Sequence, residues 1–108
     1  MSYRVDGVIV DDESGRPVEG LVVRAYDDDL VFDDFLGEAH TDASGRFEVA
    51  FTEVQFMDVF ETRPDVYLRI FDSAGATLLH STKRQVRKNA HLLEHFELRI
   101  PAGVARAS

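Results

Sequence analysis

Between Ala25 and Phe47 the chain reads AYDDDLVFDDFLGEAHTDASGRF, and its oxygen-bearing side chains crowd together. Asp27 and Asp29 stand two apart, so on an extended chain their carboxylates point to the same side. Asp33, Asp34 and Glu38 follow across a loop that can fold back, and Asp42 ends the next extended stretch. Calcium takes about six to eight oxygens from carboxylates, carbonyls and water, and this stretch can supply most of them. Asp27, Asp29, Asp33, Asp34, Glu38 and Asp42 are therefore the candidate metal ligands, with calcium the candidate cofactor. Carboxylates gathered so closely repel one another without a cation, which makes at least one of them easier to protonate. An EF-hand does not fit, because Phe32 stands where that loop needs glycine for its sharp turn. The competing account is a solvated acidic edge that discourages edge-to-edge pairing of copies.

The remaining chemistry-bearing residues form weaker patterns. His40, His80, His91 and His95 include one pair four residues apart, but zinc wants three or four convergent ligands. No serine sits in a recognisable nucleophile turn. The run KRQVRKNAH, starting at Lys83, opposes the acidic stretch in sign and suits either an anionic partner, another copy, or plain solvation.

The elements that must position these residues are strands. Leu21, Val23 and Ala25 alternate with Val22, Arg24 and Tyr26, and Phe47, Val49 and Phe51 share one face. Val66, Leu68 and Ile70 alternate with Tyr67, Arg69 and Phe71, while Phe96, Leu98 and Ile100 alternate with Glu97 and Arg99. Near the N-terminus the apolar positions Tyr3, Val5, Val8 and Val10 shift phase at Gly7, which predicts a bulge or a change of sheet. Phe35 to Asp42 reads as a strand leading into a hairpin turn at Ala43-Ser44-Gly45, with Gly45 at positive φ. Thr52 to Arg63 breaks the alternation: Val54, Met57 and Phe60 are three apart, so a helical turn near 53–62 is expected. Phe56, Met57 and Phe60 would then plug one end of the core.

The bounds agree with this plan. The chain has 108 residues, 44% hydrophobic, with a net charge of −8 and no cysteine. That suits one domain, excludes disulfides and thiolate metal sites, and argues against binding nucleic acid, whose phosphates it would repel. No signal peptide and no membrane-length apolar run are visible, so the expectation is a soluble chain without integral membrane association. Residues 1–101 are expected to form the domain and 102–108 a flexible tail.

Three pieces, GVIVDDESGRPVEGLVVRAYD, LGEAHTDASGRFEV and RPDVYLRIFDSAGATLL, resemble transthyretin-like or carboxypeptidase-regulatory-like domains. They are also similar to sandwich modules inside large bacterial secreted and toxin-type proteins. The resemblance implies a prealbumin-type sandwich with Greek-key connections, serving as scaffold, spacer or interaction surface. The Asp27–Glu38 stretch further resembles the third calcium loop of calcium-dependent phospholipid-binding domains of the protein kinase C type. Hydroxyisourate hydrolases share the transthyretin fold but end in Tyr-Arg-Gly-Ser, where this chain ends Ala105-Arg106-Ala107-Ser108. Intradiol dioxygenases place iron-binding histidines where this chain has Val66 and Leu68.

The expected fold is all-β, a sandwich of about seven antiparallel strands, with Val23, Phe47, Val49, Leu68, Ile70 and Leu98 buried. The expected function is a non-enzymatic binding or structural module, calcium-dependent through its acidic loop, with a protein or glycan partner. Its alternatives are a carbohydrate- or lipid-binding domain bridged by calcium, and a small hydrolase with a site at one end of the sandwich.

Overall fold

The computed structural model describes residues 2–29, 32–56 and 63–101. Its strands in chain order are β1 (Ser2–Asp11), β2 (Val22–Asp27), β3 (Asp34–His40), β4 (Arg46–Thr52), β5 (Val66–Phe71), β6 (Leu78–Ser81) and β7 (Leu93–Ile100). They form two sheets, one ordered β4-β1-β7 and the other β3-β2-β5-β6. Each inner face is apolar with a period of two, so the sheets bury those faces against each other. Tyr3, Val5, Ile9, Phe47, Val49, Phe51, Phe96 and Ile100 come from the first sheet. Val23, Ala25, Leu36, Val66, Leu68 and Ile70 meet them from the second. Leu98 is only partly buried and packs at the margin of this core, short of the full burial expected for it.

Pairing is antiparallel except between β1 and β7, which run parallel from Arg4↔Leu93 to Asp11↔Ile100. Parallel neighbours need a crossover, and here the chain passes through the whole second sheet before β7 returns beside β1. The wholly antiparallel expectation therefore gives way at this one pair.

β1 contains neither a bulge nor a change of sheet. Its inward residues are Tyr3, Val5, Gly7, Ile9 and Asp11, in unbroken alternation, and Val8 and Val10 face outward. Gly7 is there for space: a Cβ would collide with the Phe96 carbonyl and stand 2.9 Å from Phe47 Cζ. The bulge lies elsewhere, on β3, where the β2–β3 register shifts between Ala25 and Tyr26.

The turn after β3 is tight, but it is not a hairpin. Asp42 Oδ1 accepts from the amides of Ser44 (2.8 Å) and Arg46 (3.0 Å), and Gly45 adopts φ 72°. The strands on either side then part, β3 staying in one sheet and β4 entering the other. The Gly45 carbonyl accepts from Ile9 N (2.8 Å), which draws the chain across to β1.

After β4 a single 3-10 turn, Glu53–Gln55, is held by a capping box between Thr52 and Gln55. Phe56 follows and packs edge-on against Tyr3 and Phe51, closing one end of the core. Val54 is 88% exposed, so it does not share that apolar face. Met57, Phe60 and the rest of the expected helical segment lie outside the described residues, as do residues 102–108. No helix among the described residues is long and apolar enough to cross a membrane.

Candidate functional site

The acidic residues separate into three places. Asp27 ends β2 directly opposite Asp34, which begins β3, so these two stand together at one end of the second sheet. Glu38 lies further along the outer face of β3, where Arg24 Nε donates to Oε1 at 3.1 Å. Asp42 lies beyond the far end of β3, a strand roughly 20 Å long by its rise, and its carboxylate is used to hold the turn.

At the first end, alternation along β2 turns Asp27 inward, and its side chain is fully buried. Its Oδ1 accepts from Asp65 N at 2.8 Å, while Asp28 N donates back to the Asp65 carbonyl at 2.8 Å. Asp29 has left the strand and is exposed, so the shared direction of Asp27 and Asp29 does not survive folding. Among the described residues, no group of three or more His, Asp or Glu is arranged to hold a metal ion.

Asp33 is the hub. Just before β3, this carboxylate lies above β5 on the outer face of the second sheet. Tyr67 Oη donates to Asp33 Oδ2, Lys83 Nζ donates to the same oxygen at 2.9 Å, and Asp29 N donates to Oδ1 at 3.2 Å. Lys83 also stands 3.9 Å from Asp28 and 5.2 Å from the Tyr67 ring centre. Burial alone would raise the Asp33 carboxyl. The hydrogen bonds from Tyr67, Lys83 and Asp29 outweigh it and hold the group at about 2. For Tyr67, burial and donation to the Asp33 carboxylate push the phenol above its ordinary value.

These directions define what the cluster can do. A carboxylate held so low is a poor proton acceptor at neutral pH, and a phenol pushed up keeps its proton. The arrangement is a clasp between a loop and a sheet. Alternation predicts Tyr67 on the outer face, and the register puts it on that side. It is nonetheless fully buried, because Asp33 and Lys83 lie over it and Tyr26 stacks on its ring at 5.4 Å. The basic run is likewise internal in part. Lys83 joins the clasp, and Arg87 donates to Glu94 at 3.1 Å and to the His95 carbonyl at 2.6 Å, its guanidinium 3.8 Å from the Phe96 ring centre.

A second polar locus has no signature in the sequence. On the outer face of the first sheet, register sets Glu48, Asp6 and His95 side by side across β4, β1 and β7. His95 Nδ1 lies 2.8 Å from Asp6 Oδ1, and Nε2 lies 3.8 Å from Glu97. They border a hollow of about 730 Å³ that Arg46 and His40 also line. An imidazole oriented by a carboxylate is half of a nucleophile-activating set. Among the described residues no hydroxyl is hydrogen-bonded to His95, so the other half is missing. His40, His80 and His91 share no metal-binding group with it.

No protein-family model matches the chain, and no curated protein matches it. Among solved structures it is similar to a 9R-lipoxygenase from Cyanothece PCC8801, with a TM-score of 0.68 at 20% identity. The likeness covers 90% of this chain and 16% of the lipoxygenase chain. At that identity the likeness shows the fold alone.

Proposed function

We propose that the chain is a non-enzymatic β-sandwich module of prealbumin type, with a structural or interaction role. The observation that carries this reading is the Asp33–Tyr67–Lys83 clasp. The groups best placed for chemistry are hydrogen-bonded to one another in protonation states that favour anchoring over proton transfer. The fold likeness supports it from another side, since a similar sandwich occupies 16% of a much longer chain. The three sequence pieces that resemble carboxypeptidase-regulatory-like domains supply the prealbumin assignment.

Calcium is the finer question within this reading. Asp33, Glu38 and Asp42 serve Lys83, Arg24 and a turn, and Asp27 Oδ1 accepts from Asp65 N, so a cation would have to compete with these contacts. Calcium would also need about six to eight oxygens, much of that shell from carbonyls and water. The test is calorimetric titration of the chelator-treated chain with calcium and then magnesium, beside thermal melts. Saturable heat with a rise in Tm that magnesium does not reproduce would establish a calcium-dependent module. Flat titrations at millimolar calcium would leave a module closed by its own side chains.

A further inference from the structure

The outer face of the β3-β2-β5-β6 sheet carries further groups beside the clasp residue Tyr67. One row across it is Phe35, Tyr26 and Tyr67, with ring centres 5.8 Å and 5.4 Å apart. The next row is Glu38, Arg24, Arg69 and Ser81. Arg24 and Arg69 are direct cross-strand partners, and like charges so placed cost stability. They lean apart: Arg24 lies 4.5 Å from the Phe71 ring centre, and Arg69 lies 4.9 Å from Tyr26 and 5.6 Å from Tyr67.

Arg24, Arg69 and Arg87 are the partly buried arginines among the described residues. Arg24 holds Glu38 and Arg87 holds Glu94, each at 3.1 Å. Arg69 makes no hydrogen bond or ion pair to another described residue, in a chain with 20 acidic residues. A guanidinium fixed on two rings, with its donors unspent, is poised for an anion.

We propose that Arg69 anchors a binding site for a ring-bearing carboxylate. The guanidinium fork takes the two carboxylate oxygens. Ser81 stands beside it; its Oγ accepts from Lys83 N at 3.2 Å and keeps a hydrogen to donate. Phe35, 50% exposed and set edge-on to Tyr26 with 61° between the ring planes, gives the apolar flank against which the ring lies. A uronic sugar and an aromatic carboxylate share this chemistry. The site adjoins the clasp at Tyr67 and Lys83 but uses none of the clasp's hydrogen bonds, and the structural reading above survives if nothing binds here.

The experiment titrates the isotopically labelled full chain with galacturonate, benzoate and acetate, the ringless arm, following amide chemical shifts. Saturable shifts around Tyr26, Phe35 and Arg69 are expected, about tenfold tighter for one ring-bearing acid than for acetate. Whichever of the two binds more tightly names the source. Arg69→Gln should weaken binding about tenfold or more, and Arg69→Lys, which keeps the charge without the fork, should fall between. The lysine variant also keeps the test decisive if the glutamine variant fails to fold. Arg46→Gln, on the other sheet, should leave binding unchanged. Binding no tighter than that of acetate, or binding that persists in both Arg69 variants, would overturn the proposal.

Discussion

Replacing Asp33 by asparagine tests the clasp directly. Asparagine keeps the shape and one acceptor oxygen but removes the charge that Tyr67 and Lys83 meet. The carboxyl moves from an ordinary 3.8 to about 2 on folding. That difference corresponds to about 2 kcal/mol of stability. The Asp33 side chain is 17% exposed but Lys83 is 48% exposed, so solvent screens part of the pair and about 2 kcal/mol is its upper value. Because the folded value is the lower one, the contribution is present above pH 3.8 and is lost as pH falls through about 2. Urea unfolding of the wild type and Asp33→Asn, repeated between pH 7 and pH 2, reads this out. At neutral pH the variant should lose up to about 2 kcal/mol, a midpoint drop of at most roughly 1.5 M for a domain of this size. The gap should then narrow steadily in acid, because the substituted amide does not titrate. Subtracting the two profiles removes the other carboxylates, including Asp72, which donation from Ala76 and Thr77 amides also holds low. A gap below about 0.5 kcal/mol at pH 7, or profiles that stay parallel down to pH 2, would show that the clasp does not stabilise the fold.

Leu68→Ala should cost about 2–5 kcal/mol, since Leu68 is fully buried between the sheets and the cavity cannot collapse freely; chemical denaturation measures it, and a loss under about 1 kcal/mol would contradict the packing. Gly7→Ala should cost about 2 kcal/mol or more through overpacking against Phe47 and the Phe96 carbonyl. Thermal melts check this, and a neutral result would mean that β1 and β7 can move apart. Gly45→Val should be worse than an ordinary surface change, because φ 72° disfavours a β-branched residue and its Cβ would press on the Ile9 carbonyl. A melting point within about 2 °C of wild type would refute that.

Much of the sandwich is legible because inward and outward residues differ in kind along most strands. Val23, Phe47, Val49, Leu68 and Ile70 all lie on the faces that alternation assigns them. β1 defeats the same rule for a local reason. Ile9 faces inward while Val8 and Val10 face outward, so apolar residues occupy both sides, and the one inward position without a side chain, Gly7, looks like a phase shift. The hairpin expected at Ala43–Gly45 fails for a different reason. Its turn chemistry is local and correct, but which sheet the following strand joins depends on β1, more than thirty residues earlier in the chain.

The site is less legible, because its decisive contacts join segments that look self-contained. Asp33 and Lys83 lie fifty residues apart, and Asp6 and His95 eighty-nine. Read separately, an acidic loop asks for a cation from outside and a basic run asks for an external anion. The fold instead hands the loop its cation from the same chain. Tyr67 is the residue that makes this exchange work: alternation sends it outward, where its ring supports Lys83 and its hydroxyl fills a third position on the Asp33 carboxylate. An outward tyrosine within a strand, flanked by buried Val66 and Leu68, is the one sequence signal that something covers that face. Its weight can be judged only once β5 is known to lie between β2 and β6, within reach of both loops.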